Sequence, residues 1–246
     1  MGLIELTILA GALAGGFVSG LTGFGTGISA LAIWLTAVEP VIAGPLVVVC
    51  SLISQVQNLP SIWHAISWPR ALPFVIGGVI GIPLGTLALP HVSMEGFKLG
   101  VGSILIVYCS ITLFRRAAPK VSWGGNWANG VVGLSGGVLG GLAGLSGPLP
   151  TIWATLRGWT KDEKRGVYQA YNTAMLALAL ASQAIGGFMT MEVGRLCLIA
   201  FPATVAASWI GRRVYDRLGD GLFNRVVMTL LLFSGISLVV TALWQG

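Results

Sequence analysis

Apolar stretches of about twenty residues recur along the whole chain, each long enough to cross the roughly 30 Å hydrocarbon core of a bilayer. No other feature restricts the fold as much. A backbone in lipid finds no water to bond, so its amides and carbonyls must pair within the segment, as they do in a helix. Only 9% of the residues are charged, against about 25% in a soluble domain. Mean hydropathy is +0.86. The reading is an all-α polytopic membrane protein. "MGLIEL" carries no Lys or Arg ahead of its apolar stretch, so a cleaved signal peptide is not expected. Cys50, Cys109 and Cys197 are odd in number and sit within apolar runs, as packing residues do. The net charge of +6 resides in loops between spans, where it sets topology and gives no stripe for nucleic acid.

The chain also repeats itself. "GFVSGLTGFGTGI" (16–28) aligns without gaps on "GVLGGLAGLSGPL" (137–149), matching Gly16 to Gly137, Gly20 to Gly141, Leu21 to Leu142 and Gly23 to Gly144. The same offset of 121 pairs Ser51 with Asn172, and an offset of 126 pairs Gly85 with Gly211 and Phe97 with Phe223. Two repeats follow, 1–114 and 127–246, joined by a linker at 115–126 within one integral membrane domain. Each holds a glycine-broken segment and three apolar spans: 41–62, 71–90 and 97–114, then 166–188, 193–211 and 223–244.

Charge counting decides how the broken segments run. If each crosses once, nine basic residues fall on one side and five on the other. If each is a hairpin returning to its own side, twelve of the 14 share one face, leaving Lys98 and Arg195 opposite together with Glu5, Glu39, Glu95 and Glu192. The positive-inside rule favours the hairpins, with the linker cytoplasmic and both termini periplasmic. An odd number of crossings per repeat makes the two repeats inverted copies, a common transporter plan. Trp63, Trp68, Trp123, Trp127, Trp153, Trp159 and Trp209 cluster towards the basic face as an aromatic belt.

At each break the second arm starts with unpaired amides and a positive dipole end. Thr26 and Ser146 suit capping positions, and Pro148 suits a first helical turn. Two such helix starts would form a symmetric anion site between the breaks, with Gly23, Gly25, Gly27, Gly144 and Gly147 letting a ligand approach the backbone. Ser51, Ser54, Gln55 and Asn58 share one helix face, as do Gln169 and Asn172. The expected substrate-binding set is therefore Gly23, Gly25, Thr26, Gly27, Ser51, Gln55, Gly144, Ser146, Gly147, Gln169 and Asn172. The competing reading makes the amides interhelical glue and the four-spaced glycines of Gly77, Gly81 and Gly85 helix-packing devices. Arg157, Lys161, Lys164 and Arg165 lie in a loop where they concentrate anions or merely set topology.

No Asp, Glu, Lys or Arg falls in the middle of a span, and His64 and His91 sit in loops near span ends. No Walker lysine, zinc-ligand spacing, Ser-His-Asp set or paired intramembrane carboxylates occur, so neither an enzyme nor a cofactor or metal is expected.

With these residues in place, the chain resembles the TauE/SafE sulfite-exporter family of bacterial membrane proteins. The resemblance covers nearly the whole length and rests on "GFVSGLTGFGTGIS", "GGLAGLSGPLPTIWA", the two-repeat plan and the polar starts of the spans that follow. "TGFGTG" and "AGLSGP" stand where many members carry longer glycine runs. The resemblance implies inner-membrane export of a small sulfur-containing anion: sulfite, thiosulfate or an organosulfonate such as sulfoacetate. Membrane potential alone, or a proton gradient, would drive it. An uptake carrier of the same fold and a non-transporting scaffold subunit are the alternatives. The partners are then the small anion and the lipid bilayer, with a homodimer left open.

Overall fold

The computed structural model describes all residues except Met1, 89–93, 115–120, 144–145 and 246; Gly144, His91 and the first half of the linker thus lie outside the described residues. Among the described residues ten α-helices follow in order: α1 (Leu3–Thr22), α2 (Thr26–Trp34), α3 (Pro40–Ile62), α4 (Trp68–Ala88), α5 (Met94–Phe114), α6 (Gly125–Ala143), α7 (Pro148–Leu156), α8 (Lys161–Ile185), α9 (Met191–Arg217) and α10 (Asp220–Gln245). A short 3-10 turn, Trp63–Ala65, lies between α3 and α4. No strand occurs among the described residues. Among the described residues five stretches are long and apolar enough to cross a membrane: Leu3–Thr22, Val41–Ala65, Trp68–Gly85, Met191–Arg217 and Asp220–Trp244. The chain is an all-α, multi-pass membrane protein.

Both glycine breaks separate a long helix from one of only nine residues. At 1.5 Å per residue each short arm reaches about 13 Å, less than half a hydrocarbon core. These arms turn back into the protein and do not span.

The chain forms two compact units, and neither is one sequence half. The first comprises Met1–Ala71 and Arg165–Leu218; the second comprises Leu72–Lys164 and Gly219–Gly246. In the first unit α1 and α9 run parallel. An added Cβ on Gly16 would sit 2.8 Å from the Thr204 carbonyl, and one on Gly20 would strike the Ser208 carbonyl, so only glycine permits this approach. Helix α3 runs the same way: Gln57 donates to the Val205 carbonyl (3.0 Å) and Asn58 to the Ser208 hydroxyl (2.8 Å). Since α1 and α3 are parallel, α2 must carry the chain back. It does so along α1, with its end fixed where the Trp34 indole donates to the Ile8 carbonyl at 2.9 Å. The fully buried Trp34 ring fills the core with Ile8, Ala12, Ala43, Leu46, Cys50, Leu196 and Ala200. Glu5 and Arg195 pair at the start of α1 and α9, 2.8 Å apart.

The second unit uses the same devices. Helices α4 and α6 run parallel, with Gly77, Gly81 and Gly85 against the backbone of Gly130, Leu134 and Val138. The offsets of 121 and 126 carry the Gly16–Thr204 contact onto Gly137–Gly78, and Gly211–Phe17 onto Gly85–Val138. The short arm α7 is again held by an indole: Trp153 donates to Asn129 Oδ1 at 2.8 Å. Trp153 is buried and is not part of an aromatic belt, whereas Trp63, Trp68, Trp123, Trp127 and Trp209 are exposed. The described end of the linker docks on α7, where the Val121 amide donates to the Leu156 carbonyl (2.8 Å) and Arg157 to the Trp123 carbonyl (2.7 Å).

Candidate functional site: the first helix break

In the first unit, α1 ends where the Gly23 amide bonds the Ser19 carbonyl at 2.8 Å. Gly23 has φ +81° and Gly25 φ +92°, left-handed conformations that a residue with a Cβ takes at a cost. Thr22 Oγ1 braces the turn between them, lying 2.9 Å from the Val18 carbonyl and 2.7 Å from that of Phe24. Gly25 then opens α2, its carbonyl accepting from Ser29. The amides of Thr26, Gly27 and Ile28 precede that bond and have no acceptor within α2.

Three side chains predicted for the site converge on this turn. Gln55 Nε2 donates to the Gly23 carbonyl at 2.7 Å, and Asn172 Nδ2 to the same carbonyl at 3.3 Å. Gln169 Nε2 donates to the Gln55 carbonyl, while its Oε1 lies 4.0 Å from where a Gly23 Cβ would be. All three are buried, as is Ser51, one turn before Gln55 on the same face. The amides therefore do part of what glue does: one N–H of each is spent on a carbonyl. The four-residue face of α3 divides, because Asn58 binds α9 and Gln55 binds the break.

Thr26 does not cap α2. It is the first helical residue, its methyl packs against Gly15, and its hydroxyl is buried with no partner in the protein. Gln169 Oε1 is also unpartnered, but as an acceptor it can be satisfied only by a donor and not by an anion. A buried hydroxyl without a partner costs about 1–3 kcal/mol, which an accepting ligand at Thr26 recovers.

Arg165, assigned from the sequence to a loop, is almost completely buried in the first turns of α8. Its two terminal nitrogens donate to the Gly20 (2.5 Å) and Leu21 (3.2 Å) carbonyls at the end of α1. Its guanidinium lies 3.9 Å from the centre of the Tyr215 ring. Tyr168 packs edge-on against Phe24, ring centres 5.8 Å apart. A sequence signal for Arg165 existed: Arg165, Gln169 and Asn172 are spaced i, i+4, i+7, one helix face.

The second break, in the other unit, differs chemically. Gly147 precedes α7 in an ordinary right-handed conformation (φ −75°, ψ −37°), and its carbonyl accepts from the Thr151 amide and hydroxyl. Ser146 does not cap α7 and lies beside Gly140 of α6. Pro148 takes the first helical position as expected, but Pro150 follows it. Neither proline has an N–H, so the first turn of α7 offers fewer donors than that of α2. The two helix starts are not chemically symmetric.

A helix break surrounded by buried polar side chains inside an apolar bundle is the arrangement at which membrane carriers hold their solutes. The sulfite exporter TauE/SafE family matches residues 7–238, and the chain belongs to that family, which is one of membrane transporters. A relative from Cupriavidus necator, described as "Probable sulfite/organosulfonate exporter TauE", is 28% identical over 249 residues, covering 98% of this chain and 95% of the relative. No solved structure matches significantly.

Proposed function

We propose that the protein exports a small sulfur-containing anion, sulfite, thiosulfate or an organosulfonate such as sulfoacetate, across the bacterial inner membrane. The first break is the binding site. The amides of Thr26, Gly27 and Ile28, the Thr26 hydroxyl and the second N–H of Gln55, Gln169 and Asn172 are the donors, with Ser51 flanking them. The observation that carries this reading is the buried, unpartnered Thr26 hydroxyl at the amino end of α2. Donors of this kind hold an oxyanion without the ion pairing that would slow its release.

The two repeats are inverted relative to the membrane, with the linker cytoplasmic and both termini periplasmic. Moving one negative charge out of a negative interior gains about 2.3 kcal/mol per 100 mV, so the potential alone is a sufficient drive. The name of the Cupriavidus relative supports the choice of sulfur oxyanions. Titrating the purified protein with sulfite, thiosulfate, sulfoacetate, sulfate and acetate tests the assignment. Sulfur anions are expected to bind and acetate not. Equal binding of all five, or of none, contradicts it.

A further inference from the structure

We infer that Arg165 is a positioning residue for the anion site: its guanidinium fork sets the end of α1 and thereby the direction in which the amides after Gly25 point. This rests on the first break being the binding site, as proposed above. Three observations carry it. The two nitrogens reach consecutive carbonyls, Gly20 and Leu21, in the last turn of α1 before the left-handed turn begins at Gly23. Two bonds from one rigid plane fix an orientation, where a single contact fixes only a distance. The plane is itself held from behind by the Tyr215 ring at 3.9 Å. Finally, the same face of α8 carries Gln169 and Asn172 to the turn. Arg165 therefore ties the place where α1 stops to the side chains that surround the ligand.

A guanidinium also carries charge, and the two roles separate cleanly. Arg165→Lys retains the charge but has no fork. If position matters, Arg165→Lys in the full protein weakens sulfoacetate binding at least tenfold, and Arg165→Gln weakens it no more than a few-fold further. Amide hydrogen exchange over residues 22–29, read without any ligand, is expected to quicken in both variants. Tyr215→Leu, which leaves the fork intact but removes its backing, is expected to show a smaller change in the same direction and covers the case in which Arg165 variants fold poorly. Wild-type binding and exchange in Arg165→Lys would overturn the inference. If the wild type itself binds no sulfoacetate, the anion-site reading fails; exchange in Arg165→Lys then still decides whether the fork sets the turn.

Discussion

Arg165 and Asn172 lie two turns apart on one face of α8 and hold the same break at different carbonyls: Arg165 takes those of Gly20 and Leu21, and Asn172 that of Gly23. One helix from the second half of the sequence thus frames a break in the first half. The Asn172 bond is long, at 3.3 Å, and the Gly23 carbonyl also has Gln55 at 2.7 Å. Losing Asn172 therefore leaves no orphaned carbonyl.

Asn172→Leu is accordingly expected to leave expression and thermal stability near wild type. A lost hydrogen bond to a charged ligand costs about 1.5–3 kcal/mol, roughly ten- to a hundredfold in anion affinity. Side-by-side melting and binding curves check this. Normal binding in Asn172→Leu would remove that side chain from the site.

The glycines at the two breaks should respond differently. Gly25→Ala forces a Cβ into left-handed backbone 3.0 Å from Val18 and is expected to cost about 1–2 kcal/mol of stability, with any loss of transport secondary. Gly147 has ordinary backbone, so Gly147→Ala carries no such penalty. It is expected to melt like wild type and to transport at a reduced rate only if a ligand approaches its backbone. A Gly147→Ala protein with wild-type flux would assign that break to packing.

Much of this arrangement was legible in the sequence, and the reasons for the rest are physical. Apolar length located the long helices, and the clusters at Gly23–Gly27 and Ser146–Pro148 mark real helix ends. Polar residues inside apolar runs stand out, so Gln55, Gln169 and Asn172 are legible from the sequence alone. Partner choice was harder to read. In lipid every face of a helix is apolar, so periodicity does not say that α1 packs on α9 or α4 on α6. The signal lay in the glycines at matched repeat positions, whose role is close approach. Trp34 passed unnoticed because one tryptophan in an apolar run has no distinguishing neighbour. Arg165 was hidden by the surrounding Lys161, Lys164 and Glu163, which look like a loop.

Trp34→Phe tests the hairpin. The substitution keeps an aromatic ring but removes the indole bond to Ile8 and some buried volume, an expected loss of about 1–3 kcal/mol. Thermal unfolding in detergent reports it. An unchanged melting temperature would mean that α2 is held by its neighbours alone.

Lys164, at the start of α8 outside the span, gives a pH signature. Burial pushes its ammonium below the ordinary 10.5, with Asp220 pulling it part of the way back. The unfolded chain then holds that proton more tightly than the folded one. The penalty is complete below the lowered value and vanishes above 10.5, so stability rises with pH between them. Wild type is expected to gain on Lys164→Met as pH is raised from neutral to about 10. A stability difference that stays constant with pH would contradict the buried ammonium.

The central claim, that this chain moves a small sulfur anion through the first break, is tested most directly by flux. Liposomes containing only this protein, loaded with sulfoacetate and held interior-negative, are expected to release it faster as the potential grows. The gradient they reach should approach fiftyfold per 100 mV for each negative charge carried. Release should fall sharply in Asn172→Leu at limiting sulfoacetate. Release no faster than from protein-free liposomes would contradict the account.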